Sequence, residues 1–440
     1  LNRKEFKNKY GLLFTLFIFS LVLLLIYNLF TLNRDRLDRH EPIKIYFADN
    51  MSRAHLTLID QFNRQHRNEI EIIPIDLPFS KFTTNERKEL IARSLRDKDS
   101  RIDIFAVDKI WVPRFAKWAE PLAKYFTQKE LATIVPQALE TCYFDQVLVG
   151  IPLYIDEGVL YYRSDLLPCV SSDPDLERRL RKSISWDELI RLGRQSGRDQ
   201  MFYLFQGDNF EGLICNYFEI FFSLGGQVFQ NGKVQFNTPV GRQSIQFLAD
   251  LIYKYRISPP EVAGYNEQES YLCALRNDAP FFRGWSSFLK DVTIPPADSA
   301  KWAFLRMTSL PHFEGHPAKS VFGGWDLMIS KNSSNKMEAV QFLKFIMSVE
   351  SQEVLFSISG YPPIRREVYA DSAILSKYPY LKDVEKRIQN GTHRPMLTDY
   401  TKISDILSLH LNKVLKQEMT PVQALQKVDT AIASNRYFIK

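Results

Sequence analysis

Two apolar runs, IKIYF (43–47) and IDIFAV (102–107), frame the stretch whose reading decides the fold. Between them, residues 52–66 carry Leu58, Ile59 and Phe62 at helical spacing, and residues 70–75 read as a second strand. Residues 84–96 then set Leu90, Ile91 and Leu95 on one side of a second helix. Short strands alternating with amphipathic helices predict an α/β architecture with a mainly parallel sheet.

Farther along, the texture becomes more helical. Aromatic-rich helical patterns at 217–224 and 245–255 are punctuated by Gly225, Gly226, Gly232, Pro259 and Pro260, which reads as a second lobe. WDLMIS (325–330) returns to a short apolar strand, followed by a polar cap (332–335) and a helix with Val340, Leu343 and Met347 on one side. The chain closes with helices: Ile403, Leu407, Leu411 and Val414 form a stripe, and Thr420 with Pro421 is an N-cap followed by a first-turn proline.

Toward the N-terminus, no charge occurs between Lys9 and Arg34. Residues 10–32 are apolar over a length that crosses about 30 Å of hydrocarbon as a helix. The basic flank 1–9 (Arg3, Lys4, Lys7, Lys9) keeps the N-terminus cytoplasmic, so everything after the 33–42 linker is expected outside the cytoplasmic membrane, periplasmic or at the cell surface. A cleaved signal peptide is the alternative. Its apolar core usually spans roughly 7 to 15 residues and ends in a small-x-small site, whereas this run is longer and leaves through a bulky exit at 27–33.

Length and composition narrow the functional classes. The 440 residues suggest two or three structural units, and 45% hydrophobic with 25% charged residues matches an ordinary globular chain. About half of the +6 net charge sits in the membrane flank. The rest, about +3, is too weak and scattered for a nucleic-acid partner. Cys142, Cys169, Cys215 and Cys273 are too far apart for a zinc or redox pair, and none offers an N-terminal lipidation site. Disulfides and buried thiols both remain open for them.

Signatures of catalysis are missing: no GxSxG, no phosphate loop, no GxGxxG and no His-Glu-x-x-His. His312 and His316 have metal-pair spacing, but Pro311, Gly315 and Pro317 make the stretch a loop, so neither a metal nor a cofactor is expected. Asp49, Asp108 and Asp156 each stand where an apolar strand ends, the place where open α/β sheets bind ligands. Trp285 and Trp325 lie in apolar, glycine-containing turns, and Arg365 follows Gly360, Pro362 and Pro363. Directional acceptors, a guanidinium and flat aromatic faces together suit a sugar. Paired carboxylates also serve glycosidases, and a hydrolase is the competing class.

Five ordered segments resemble the family 1 extracellular solute-binding proteins of carbohydrate ABC importers, close to the trehalose and maltose binders: VDKIWVPRFAKWAEPL (107–122), GIPLYIDEGVLYYRSDLL (150–167), FFRGWSSF (281–288), FGGWDLMISKNSSNKMEAVQFLKFIMSVESQ (322–352) and GYPPIRREVY (360–369). The resemblance implies a type II periplasmic-binding-protein fold of two α/β lobes joined by a hinge, behind one transmembrane helix. Lobe one would hold 43–154 plus 322–365, and lobe two 155–321 plus 366–440, with crossings at 154–157, 321–324 and 363–369. The implied ligand shell is Asp49, Asn50, Asp108, Tyr154, Asp156, Arg283, Trp285, Gly324, Trp325, Asp326 and Arg365. The implied activity is binding of a mono- to oligosaccharide with hinge closure, no bond changed, and delivery to an ABC permease by a monomer. A membrane-anchored sugar sensor uncoupled from transport is the alternative.

Overall fold

The computed structural model describes residues 17–27, 41–78, 81–82, 84–97, 101–198, 200–230, 232–288 and 299–434. Residues 17–27 are helical with exposed side chains, while the rest of the expected 10–32 span, its basic flank and most of its linker lie outside the described residues. Among the described residues no helix is long and apolar enough to cross a membrane.

From residue 43 the elements follow the hydrophobic periods. Strand β1 (Ile43–Asp49) leads to helix α1 (Arg53–Gln65), strand β2 (Ile70–Asp76), helix α2 (Thr84–Arg96) and strand β3 (Ile104–Asp108). Strand β4 (Ile151–Arg163) is buried along its entire length. The more helical part holds β5 (Tyr203–Leu204), α3 (Glu211–Ser223), α4 (Pro239–Tyr253) and α5 (Glu267–Arg276), then β6 (Phe281–Trp285) and β7 (Leu305–Thr308). Strand β8 (Phe322–Ile329) precedes α6 (Lys336–Ile346), α7 (Val349–Ser359), α8 (Leu381–Asn390), α9 (Tyr400–Leu415) and α10 (Pro421–Ala433). Thr420 caps α10 through Gln423 N–H with Pro421 in its first turn, as the sequence predicts.

The main sheet runs β2-β1-β3-β8-β4-β6-β5, and β7 also pairs with β4. Strand β1 is parallel to β2 and β3, and β6 to β5, but β8 is antiparallel to β3 and β4, and β6 and β7 are antiparallel to β4. The sheet is therefore mixed where a mainly parallel one was expected, because the strands that pass between lobes run back along their neighbours. Glu157 of β4 faces Phe322 of β8, and Gly158 faces Trp285 of β6. One continuous strand thus serves two half-sheets.

Each half carries its own helices. Helix α1 packs on α6 and α7, with Phe62 meeting Phe342 edge-on at 5.1 Å, while α3, α4, α9 and α10 group in the second lobe. Two short helices, Arg366–Ala370 and Ser372–Lys377, stay with α7, where Phe356 meets Tyr378 and Tyr380 at 5.3 and 5.4 Å. The chain crosses to α9 through 391–399. The four cysteines are free thiols, Cys142 and Cys215 buried.

Gly324 holds a left-handed φ of +105°, and a Cβ there would stand 2.4 Å from the Tyr154 carbonyl oxygen. Gly324→Ala should therefore destabilise the protein by at least about 1–3 kcal/mol, read as a lower urea midpoint; an unchanged midpoint would show that the hinge strand relaxes at no cost.

Candidate ligand cleft

The carboxyl end of β1 supplies the first group. Asp49 is almost fully buried, receives the N–H of half-buried Asn50 at 2.6 Å, and is held by Arg87 of α2, whose Nη2 donates to Asp49 Oδ1 at 2.9 Å. His55 Nδ1 accepts from Ser52 N–H, which leaves Nε2 3.4 Å from Asp49 Oδ2; burial pushes the imidazole pKa down. The Arg87 guanidinium carbon lies 4.3 Å from the centre of the Trp325 ring, and Trp325 meets Trp111 edge-on at 5.7 Å. Tyr154 stacks on Tyr361 at 4.0 Å with the rings 5° from parallel. An acid, a guanidinium and flat rings thus form one wall.

At the carboxyl end of β3, Asp108 Oδ1 accepts from Ile110 N–H and from Arg394 Nη2, at 3.1 and 2.9 Å. Arg394 sits in the 391–399 crossing, and its Nη1 donates to Glu211 Oε1 of α3 at 2.7 Å. Glu211 also accepts from Tyr400 and Ser404 of α9.

Lobe two contributes from β6. Arg283 is fully buried and forks onto Glu219 of α3, with Nη2 to Oε1 at 2.7 Å, and its guanidinium lies 4.0 Å from the Trp285 ring centre. Half-buried Trp285 packs on the hinge: a Cβ on Gly323 would come within 2.9 Å of its ring. Burial pushes the pKa of the Glu267 carboxyl of α5 up, with the Trp285 side chain acting against it. Gly324, beside Gly323, lets the hinge strand lie against Tyr154.

Three expected ligand residues have other occupations. Asp156 accepts from Ser286 and Ser287 hydroxyls at 2.6 and 2.5 Å and from Glu157 and Ser287 backbone N–H, so its buried carboxylate is committed to the turn after β6. Burial pushes its pKa up against those bonds. Asp326 is wholly inside lobe one, bonded to Lys109 Nζ at 2.6 Å and to Thr141 at 2.8 Å. Arg365 pairs with Glu367 at 2.8 Å and with the Met347 carbonyl at 3.2 Å, next to the end of α6. In β8 the residue beside the aromatic wall is Trp325, and alternation sends Asp326 to the other face.

Arg87, Tyr361, Arg394 and Glu211 were not among the expected residues. Arg87 stands in NERKEL, which reads as a solvated helical face, and Tyr361 lies in the GYPPIR motif from which Arg365 was taken. For Arg394, in a polar loop before Pro395, the sequence offers no signal. A separate cavity against Ser286, Met307, Phe356 and Tyr380 is mostly apolar, and the Ser286 hydroxyl on its wall is already bonded to Asp156.

Two lobes on a shared strand, with acidic, guanidinium and aromatic side chains where they meet, define a hinged binding protein. The chain belongs to the bacterial extracellular solute-binding protein family, whose pattern matches residues 49–353. That is a family of binding proteins. A probable ABC transporter-binding protein of Deinococcus radiodurans is 25% identical over 80% of this chain and 84% of its own. The arabinooligosaccharide-binding protein of Bacillus subtilis is 21% identical over 85% and 87%. Among solved structures, the chain is similar to maltose-bound T. maritima MalE3, with a TM-score of 0.78, 26% identity, and 89% and 100% of the two chains covered.

Two outcomes follow from this geometry. Asp326→Ala leaves Lys109 buried without its counter-charge, so it should cost about 3–5 kcal/mol of stability; a mutant as stable as the parent would return Asp326 to the list of cleft residues. His393, beside the Phe322 ring at 4.8 Å, has its pKa lowered to about 4, first by burial and then by the Lys109 and Arg394 charges. Because the folded value lies below the ordinary 6.5, its stabilising contribution is present above pH 6.5 and is lost as pH falls toward 4. Urea midpoints across that window should drop less in His393→Phe than in the parent, and equal slopes would rule the assignment out.

Proposed function

We propose that this protein is the sugar receptor of an ABC importer, taking a neutral mono- to oligosaccharide between its lobes and presenting it to a permease. The observation that carries this reading is the cluster of Asp49, Arg87, Trp325, Tyr154 and Tyr361 on one side of the glycine pair, where Gly324 lies against the Tyr154 carbonyl and Gly323 lies against the Trp285 ring. Carboxylate and guanidinium groups accept from and donate to hydroxyls, and ring faces cover sugar C–H surfaces. The charges pair off, Arg87 with Asp49 and Arg283 with Glu219, which favours an uncharged ligand. The names of the relatives point the same way, to maltose and to arabinooligosaccharides.

In this reading Asp49, Asn50, Asp108, Tyr154, Trp285, Gly324 and Trp325 keep their assigned places at the ligand, and Arg87 and Tyr361 join them. A sugar that touches both lobes only when they close draws the hinge shut by its differential contacts. The apolar run 10–32 supports retention as a single-pass anchor, with the module outside the cytoplasmic membrane as a monomer. Such a tether concentrates the receptor beside a membrane-embedded permease.

A panel of mono- and oligosaccharides, with amino acids and peptides as controls, should contain a sugar that raises the melting temperature of the purified chain by simple linkage. Trp285→Ala should weaken binding of that sugar by calorimetry while the apo protein melts close to the parent. Conversion of the sugar into products by pure protein, or shifts with amino acids alone, would refute the proposal.

A further inference from the structure

Arg394 is the residue that the ligand shell does not account for. It is almost entirely buried, sits on the 391–399 crossing, and touches both lobes and the hinge strand at once. Nη2 reaches Asp108 Oδ1 of lobe one at 2.9 Å and the Phe322 carbonyl of β8 at 3.3 Å, and Nη1 reaches Glu211 Oε1 of lobe two at 2.7 Å. Glu211 is fixed in turn by Tyr400 and Ser404. Asp108 Oδ1 takes a second bond from Ile110 N–H, and among the described residues Oδ2 receives none. Asp108 is therefore held rigidly by one oxygen while the other is left as an acceptor. Arg394 Nε–H is buried with no partner among the described residues, which costs stability.

The same seam is closed by two further contacts. Lys88 Nζ of α2 lies 3.9 Å from Asp405 Oδ2 of α9, and Arg114 Nη1 donates to Thr401 Oγ1 of α9 at 3.2 Å. In these two contacts lobe one brings the cation and lobe two the acceptor, so they attract with no ligand present.

We infer that Arg394 is a positioning residue of the cleft, which orients Asp108 with one oxygen open to a ligand hydroxyl and, through Glu211, makes that orientation depend on the lobes being together. The inference rests on the sugar-binding reading for its ligand. Its mechanical half, a clasp across the lobes, stands without it. A forked guanidinium suits both carboxylates at once, as a single ammonium does not.

The test compares the full chain with Arg394→Met, Arg394→Lys, Glu211→Gln and the Arg394→Met/Glu211→Gln double variant, using the sugar found by the panel. A second readout is the sugar-free distance between spin labels at Lys129→Cys and Arg191→Cys in a background with Cys169 and Cys273 replaced by serine. Arg394→Met should weaken sugar binding about tenfold or more and lengthen the sugar-free distance. Arg394→Lys should restore part of both, and the double variant should lose no more than Arg394→Met alone, because the pair acts as one unit. Parental affinity with a parental distance in Arg394→Met overturns the inference, as does an affinity loss in Glu211→Gln that simply adds to that of Arg394→Met. Should Arg394→Met fail to fold, Arg394→Lys and Glu211→Gln carry the same two readouts. If the parent binds no sugar, the functional reading falls, while the label distances still decide whether the clasp exists.

Discussion

Everything in this molecule hangs on a strand that belongs to both lobes. Strand β4 pairs with β8 along its first half and with β6 and β7 along its second, and none of its thirteen residues is exposed. A strand so enclosed must satisfy every polar group it carries. Asp156 and Glu157 lie at its centre, and the structure answers with Ser286, Ser287 and Arg387, the last 3.0 Å from Glu157 Oε1. Gly158, next in line, is where the Glu219–Arg283 pair presses in, since a Cβ there would lie 2.1 Å from Glu219 Oε1. The hinge is thus a packed, hydrogen-bonded element, and movement of the lobes has to be taken up by twist at Gly158 and at Gly323 and Gly324 of the partner strand β8.

The candidate ligand surfaces are built outward from that strand by the ends of its neighbours. Asp49 and Asp108 terminate β1 and β3, Trp325 belongs to β8, and Trp285 ends β6. Because strand ends are fixed by the sheet, these side chains keep their spacing while the helices above them supply the cations: Arg87 from α2 to Asp49, and Arg394 from the crossing to Asp108. The pairing of opposite charges explains how so many ionisable groups can be buried in one place. Each would be expensive alone, and each has a partner within hydrogen-bonding distance.

The sequence made the frame legible because strands and amphipathic helices announce themselves by period. The segments from β1 to β3, the apolar run of β8 and the capped α10 all lie where their residues place them. Strand direction was harder: nothing in FGGWDLMI says that it will lie between β3 and β4 and run against both. Among the candidate residues, those at strand ends are visible, since an acid after an apolar run has a distinctive setting. Asp326 lies inside lobe one because in a strand one step along the chain exchanges the two faces. Arg87 and Arg394 were hidden for a different reason. A lone arginine in a polar context is ordinarily solvated, and only the tertiary approach of a carboxylate from 38 or 286 residues away makes it internal.

The insertion of β8 between β3 and β4 governs how the chain reaches its native state. Strands β3 and β4 are complete by residue 163, yet the strand that joins them is not available until residue 329. A chain lengthening from its N-terminus therefore carries two unpaired sheet edges through the synthesis of more than a hundred further residues. Open edges of that kind invite pairing with the wrong partner. Closure of the first lobe waits on a long-range contact, and pairing of that kind slows folding.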